Sequence, residues 1–159
     1  MVDDGERVDL RCSVLVFGED AVRLCRRTDS EDVWVLPGGT PRDGEATAVA
    51  ACREVCEGTS IQISAERVAF VLETSSWDRA HHLIEIVFLG AERDRSAAPV
   101  QLEPKLHPSF VLLGELPKAG LRTPMAGYVR GFFSRSTRPT AAYLGNLWRP
   151  DADAPAGED

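Results

Sequence analysis

The segment LPGGTPRDGEATAVAACREVCEGTSI, residues 36–61, restricts the fold more than any other stretch of this chain. It opens on Gly38 and Gly39, a pair that lets backbone approach a neighbour or a ligand with no Cβ in the way. A helix is expected from about residue 45 to residue 57. At about 100° per residue, Ala48, Val49, Cys52, Val55 and Cys56 share one half of it, and Thr47, Ala50, Glu54 and Glu57 the other. The first half is expected to face the core. Glu54 and Glu57 are three apart, so their carboxylates are neighbours on an exposed face. Two adjacent carboxylates repel unless solvent or a cation relieves them. A hard ion such as Mg²⁺ suits such oxygen donors. Arg53 adjoins the acids and can reach back to Glu45, where an arginine–carboxylate pair would tie the loop to the helix.

Strands surround this unit. Residues 8–17 alternate and are rich in β-branched side chains, Gly18-Glu19-Asp20 signals a turn, and residues 21–27 read as a second strand, which predicts a hairpin. VWVLPGG is a short strand entering the glycine loop. Residues 67–76 and 82–90 form a further hairpin around the 77–81 loop. Residues 92–108 are polar and proline-containing, hence a loop, and SFVLLGEL is a last strand. Thr123 and Pro124 supply a cap and a first-turn proline for a second helix with a core-facing stripe of Met125, Tyr128, Val129, Phe132 and Phe133. The order predicts a single α/β (α+β) domain over residues 1–137. An apolar extension follows at 138–150, then an acidic, apolar-poor tail at 151–159 with the composition of disorder. Tyr143, Leu144, Leu147 and Trp148 in the extension offer three roles, docking on the domain, closing part of a substrate cleft or forming a homodimer contact, of which docking or dimerisation is expected.

Charge excludes one class of partner. A formal net charge of −7 argues against duplex nucleic acid, which needs a basic face. It leaves room for a phosphorylated small molecule whose charge a divalent metal neutralises. No apolar run nears the roughly 18–20 residues of a membrane helix, and the acidic N-terminus lacks a secretory pattern, so a cytoplasmic protein is expected. Cys12, Cys25, Cys52 and Cys56 form no zinc pattern and read as buried thiols.

The motif residues resemble the signature of the Nudix hydrolases: Gly39, Glu45, Arg53, Glu54, Val55, Glu57 and Ile61 stand at its positions, preceded by Leu36-Pro37-Gly38. Two positions depart: Gly58 replaces the second acid of a pair, and Ser60 replaces a glycine. The resemblance covers about residues 8–135 and implies a mixed β-sheet flanked by helices. It further implies Mg²⁺- or Mn²⁺-dependent cleavage of a diphosphate bond in a nucleoside di- or triphosphate derivative. By resemblance, Glu54, Glu57 and the Gly38 carbonyl hold metal, and Arg53 and Glu45 brace the loop. Family members often draw a further acid from a later loop, for which Glu103 is the first candidate and Glu85, on a strand, a lower-ranked one. By the same resemblance, Arg26-Arg27 stands near the loop where family members often place substrate-binding positive charge, so Arg27, Gly38 and Gly39 are expected to bind substrate, the alternative for the arginines being an edge-strand charge that blocks aggregation. Gly58 reads either as the residue ending the helix early or as a helix-interior glycine. Its lost acid motivates a competing expectation, a Nudix-fold nucleotide binder that is catalytically weak or inactive. An interaction module is a third, supported only by the apolar extension. His81, His82 and His107 read as loop histidines, and Trp77 as a base-stacking ring or loop padding.

Overall fold

A computed structural model describes residues 7–27, 33–76, 78, 80–93, 106–118, 121–122, 124–134 and 142–148. Among these residues the chain forms strands β1 (Asp9–Leu15), β2 (Ala21–Arg27), β3 (Val33–Val35) and β4 (Gly38–Gly39), then helix α1 (Thr47–Thr59). Strands β5 (Ile63–Ser75), β6 (His82–Glu92) and β7 (Leu106–Leu112) follow. After a 3-10 turn at Leu113–Lys118 come α2 (Ala126–Ser134) and β8 (Ala142–Asn146). They build one domain with two sheets, ordered β4-β1-β6-β5-β8 and β3-β2-β7. No helix among the described residues is long and apolar enough to cross a membrane.

The expected β1–β2 hairpin holds only beside its turn, where the Gly18 amide donates to the Ala21 carbonyl and the Arg23 amide to the Val16 carbonyl, both at 2.9 Å, and Phe17 bridges Val22. The strands then diverge, because β1 is already paired on both edges, to β4 and in parallel to β6. With no edge left to receive it, β2 pairs with β3 and β7 in the other sheet. The VWVLPGG stretch likewise divides: β3 stays in one sheet and β4 joins the other, with the Val14 amide donating to the Pro37 carbonyl at 3.0 Å. The β5–β6 hairpin is antiparallel as expected, with β5 starting earlier, at Ile63. The last predicted strand ends at Leu112, and its LGEL residues enter the 3-10 turn. Thr123 and the 151–159 tail lie outside the described residues.

Because strand side chains alternate, β1 buries both faces. Cys12, Val14 and Val16 pack with Ala51 and Val55 of α1, while Leu15 joins Leu24, Leu72 and Val87 in the second core between the sheets. That core takes Met125, just before α2, and Val129 of α2. Tyr128 and Phe133, read as stripe residues, are 46% and 38% exposed, while Phe132 stacks edge-on against Phe70. The apolar extension adds β8 in parallel to β5 and buries Leu147.

The orientation of α1 is also corrected. Its buried residues are Ala50, Ala51, Val55, Gly58 and Thr59, whereas Val49 is 58% exposed and Cys52 and Cys56 are only half-buried. The helix packs through small residues because β1 and β4 lie close beneath it. It runs through Gly58, and the left-handed residue that ends it is Ser60, at φ 61, whose amide donates to the Cys56 carbonyl. This is where the Nudix signature carries glycine, and a side chain in that conformation costs about 1–2 kcal/mol. Ser60→Gly is therefore expected to stabilise the domain by about 1 kcal/mol, raising Tm by roughly 2–4 °C. An unchanged or lower melting temperature would show that Ser60 is not strained.

Candidate active site

The glycine loop is held by contacts that leave no room for a side chain. A Cβ on Gly38 would lie 2.6 Å from the Ser13 Cα and collide with the Cys12 carbonyl. One on Gly39 would lie 2.7 Å from the Glu54 Cγ and overlap its carboxylate. The glycine pair is thus a close approach of two backbones and an acid.

Arg53 gathers the acids. Its Nε donates to Glu45 Oε2 at 2.8 Å and its Nη2 to Glu45 Oε1 at 2.8 Å, a bidentate pair. Nη2 also reaches the Thr40 carbonyl at 3.2 Å, which ties the helix to the loop. Nη1 donates to Glu54 Oε1 at 2.9 Å and to Glu57 Oε2 at 3.1 Å. The Arg53 side chain and the Arg42 amide together lower the Glu45 carboxyl to about 2. The Arg53 guanidinium is raised further above its ordinary value, chiefly by Glu45.

Of the residues singled out from sequence, Glu45, Arg53, Glu54 and Glu57 form this one cluster, with Gly39 against Glu54. Gly38, Arg27 and Glu54 line a common cleft of about 320 Å³ that also contains Arg11 and Gly58. Glu103 and Trp77 lie outside the described residues. Among the described residues no group of three or more His, Cys, Asp or Glu side chains is arranged to hold a metal. Mg²⁺ needs fewer, since it typically takes one or two carboxylates and completes its shell with waters and substrate phosphates. Arg53 engages one oxygen of Glu54, leaving the other toward Gly39, and Glu57 is half-exposed, so this donor set fits such an ion.

A second cavity of about 310 Å³ shares Arg11, Arg27, Val35 and Leu36 with the cleft and extends it to Thr74, His81, Arg122 and Trp148. Glu85 lies in its wall, 3% exposed, taking Arg11 Nε at 3.2 Å and Ser13 Oγ at 3.0 Å. Burial pushes its carboxyl up, against the pull of Arg11 and Ser13. Sequence reasoning placed neither Arg11 nor Thr74 at a site, read His81 as a loop histidine, and offered closure of a substrate cleft as one role for the stretch that holds Trp148. The available signal was polarity inside apolar strands: Arg11 and Ser13 in DLRCSVL, Glu85 in HLIEIVFLG.

The description NUDIX domain fits residues 9–132. The chain belongs to the Nudix family. Solved structures share the fold. A mutator MutT protein from Bacillus halodurans superposes at a TM-score of 0.72 with 17% identity, covering 91% of this chain and 93% of that one. An ADP-ribose pyrophosphatase from Streptococcus suis gives 0.65 at 21% identity, over 85% of this chain and 98% of its own. A MutT NUDIX hydrolase from Burkholderia pseudomallei gives 0.57 at 24%, over 70% and 88%. At such identities the likeness is one of fold. In this Nudix chain α1 runs one residue past Gly58, to Thr59, so Gly58 lies in its last turn.

Proposed function

We propose that this Nudix protein is a Mg²⁺- or Mn²⁺-dependent hydrolase that cleaves a diphosphate bond in a nucleoside di- or triphosphate derivative. The observation that carries the reading is the cluster of Glu54 and Glu57 around Arg53, which reaches through Glu54 a cleft that runs on past Arg11 and Arg27 into a cavity of about 310 Å³. Glu54 and Glu57 would hold the ion, with the Gly38 carbonyl as a further donor. When bound, the ion would polarise the phosphate and lower the pKa of the attacking water. The chain's own residues do the rest. Arg53 and Glu45 fix the acids against the loop. Arg27 lines the cleft beside Glu54 and brings positive charge to the phosphate oxygens, while Arg11 is held by Glu85 and the Leu36 carbonyl. Val35 and Leu36 wall the cleft with apolar surface. The ligand is a small nucleotide derivative, and the compartment that fits this reading is the cytoplasm.

The position of Gly58 favours a second reading, a nucleotide binder with weak turnover. Gly58 lines the same cleft as Glu54, one turn away, so the acid missing from the motif is missing at the site itself. One experiment separates the two. A panel of nucleoside diphosphate derivatives is incubated with Mg²⁺ and with Mn²⁺, and nucleoside monophosphate release is followed for the parent and for Gly58→Glu. A hydrolase is expected to release product in its parent form. Gly58 has no left-handed conformation to lose, but it is buried as well as bordering the cleft, so a thermal melt first establishes that the variant folds. The folded variant is expected to bind metal about tenfold more tightly, since affinity follows the number of charged ligands. No product from the parent, with tight nucleotide binding, would make it a binder.

A further inference from the structure

The face of the large sheet that packs against the small sheet changes character along its length. Leu15, Leu72 and Val87 give it an apolar end. Two residues further along the same strands, alternation brings Ser13, Thr74 and Glu85 to that face, with Arg11 level with Glu85. Thr74 and Glu85 stand diagonally across β5 and β6, since Leu72 pairs with Glu85 and Thr74 with Leu83. Both are nearly sealed, at 8% and 3% exposure, and both line the cavity that ends at Trp148.

Their hydrogen bonds are incomplete. Both bonds to Glu85 end on Oε1, and among the described residues Oε2 accepts none. Thr74 Oγ1 is the one buried side-chain polar atom among the described residues with no partner. A group buried this way destabilises the fold unless something arrives to pair it. Arg11 stands opposite Glu85 in register and neutralises it, so the pair does not select a cation. It presents acceptors to a ligand that donates.

We propose that Glu85 and Thr74 are specificity-determining residues for the nucleoside half of the substrate, accepting hydrogen bonds from a donor that it carries. The donor is an exocyclic amine of the base or a hydroxyl of the sugar. The inference rests on the nucleotide reading above. It sets Glu85 apart from the metal-binding acids, since its open oxygen belongs to the far cavity rather than to the cleft of Glu54.

The test measures binding of nucleoside monophosphates by calorimetry, which requires no hydrolysis. The pairs are cytidine against uridine, adenosine against inosine, and each ribonucleotide against its 2′-deoxy form. The parent is expected to prefer the donor-bearing member of at least one pair by about tenfold or more. Base pairs that discriminate identify the amine, and the deoxy pairs identify the sugar. Thr74→Val, of the same shape, is expected to shrink that preference severalfold while leaving the melting temperature equal or higher. Glu85→Gln can keep its bonds to Arg11 and Ser13 while turning an amide donor toward the cavity, and is expected to abolish or reverse the preference. Equal binding across every pair, no binding at all, or an undiminished preference in Thr74→Val would overturn the proposal. So would a Glu85→Gln variant that loses turnover equally on all substrates. Discrimination by a parent that hydrolyses nothing would support the specificity site and sink the hydrolase reading instead.

Discussion

Arg53→Ala is expected to lower turnover by about a hundredfold, the loss typical when a group that positions the reacting centre is removed. The guanidinium makes five hydrogen bonds, to three carboxylates and one carbonyl. Without it Glu45, Glu54 and Glu57 repel one another, and Thr40 loses its tie to the helix. Amide exchange in residues 38–44 should quicken in the variant, whereas a surface charge with no bracing role would leave it unchanged. Arg53→Lys keeps the charge without the bidentate geometry and should fall between. The Glu45 arm has a defined pH window. Its folded pKa, about 2, is depressed below the ordinary 4.5. Its contribution is therefore complete above about 4.5 and is lost as pH falls through about 2. The loop should loosen in that acid range in the parent and show no such added step in Arg53→Ala.

Arg23→Met is expected to destabilise the protein by about 3–5 kcal/mol, a large part of a typical domain's 5–15 kcal/mol. Arg23 belongs to β2 and Glu92 to the end of β6, so their ion pair joins the two sheets. Arg23 Nε donates to Glu92 Oε1 at 2.7 Å, and the side chains are 4% and 7% exposed. The guanidinium also lies 4.0 Å over the Phe110 ring. Removing it alone leaves a carboxylate buried without its charge partner. Replacing both, as Arg23→Met with Glu92→Leu, should restore most of the loss, because paired apolar side chains need no desolvation of charge. Urea unfolding of the parent, both single variants and the double variant measures this. A single variant within about 0.5 kcal/mol of the parent would show that water reaches the pair.

The local features were legible because local rules govern them. Period-two runs marked the strands, and period-3.6 spacing marked α1 to within two residues. The motif brought together Glu45, Arg53, Glu54 and Glu57, whose positions along one loop and helix determine which side chains can meet. The resemblance carried the fold because its spacing encodes that loop and helix together. Burial was less legible. On α1 the wheel grouped Cys52 and Cys56 with Val55, yet helix placement is decided by what lies beneath it, and the buried side runs through Ala50, Ala51, Val55, Gly58 and Thr59.

What the sequence by itself determined is the strand–glycine–helix unit and the acids around Arg53, all within about twenty residues of one another. What only the tertiary structure decided is the pairing between distant strands: the parting of β1 from β2, the parallel match of Arg11 with Glu85, and the placing of Thr74 beside them. Strand pairing is chosen by competition for edges and for buried area across the whole chain, which no local window contains. The cavity between Arg11 and Trp148 is built from those distant matches, so it became visible only when the two sheets stood together.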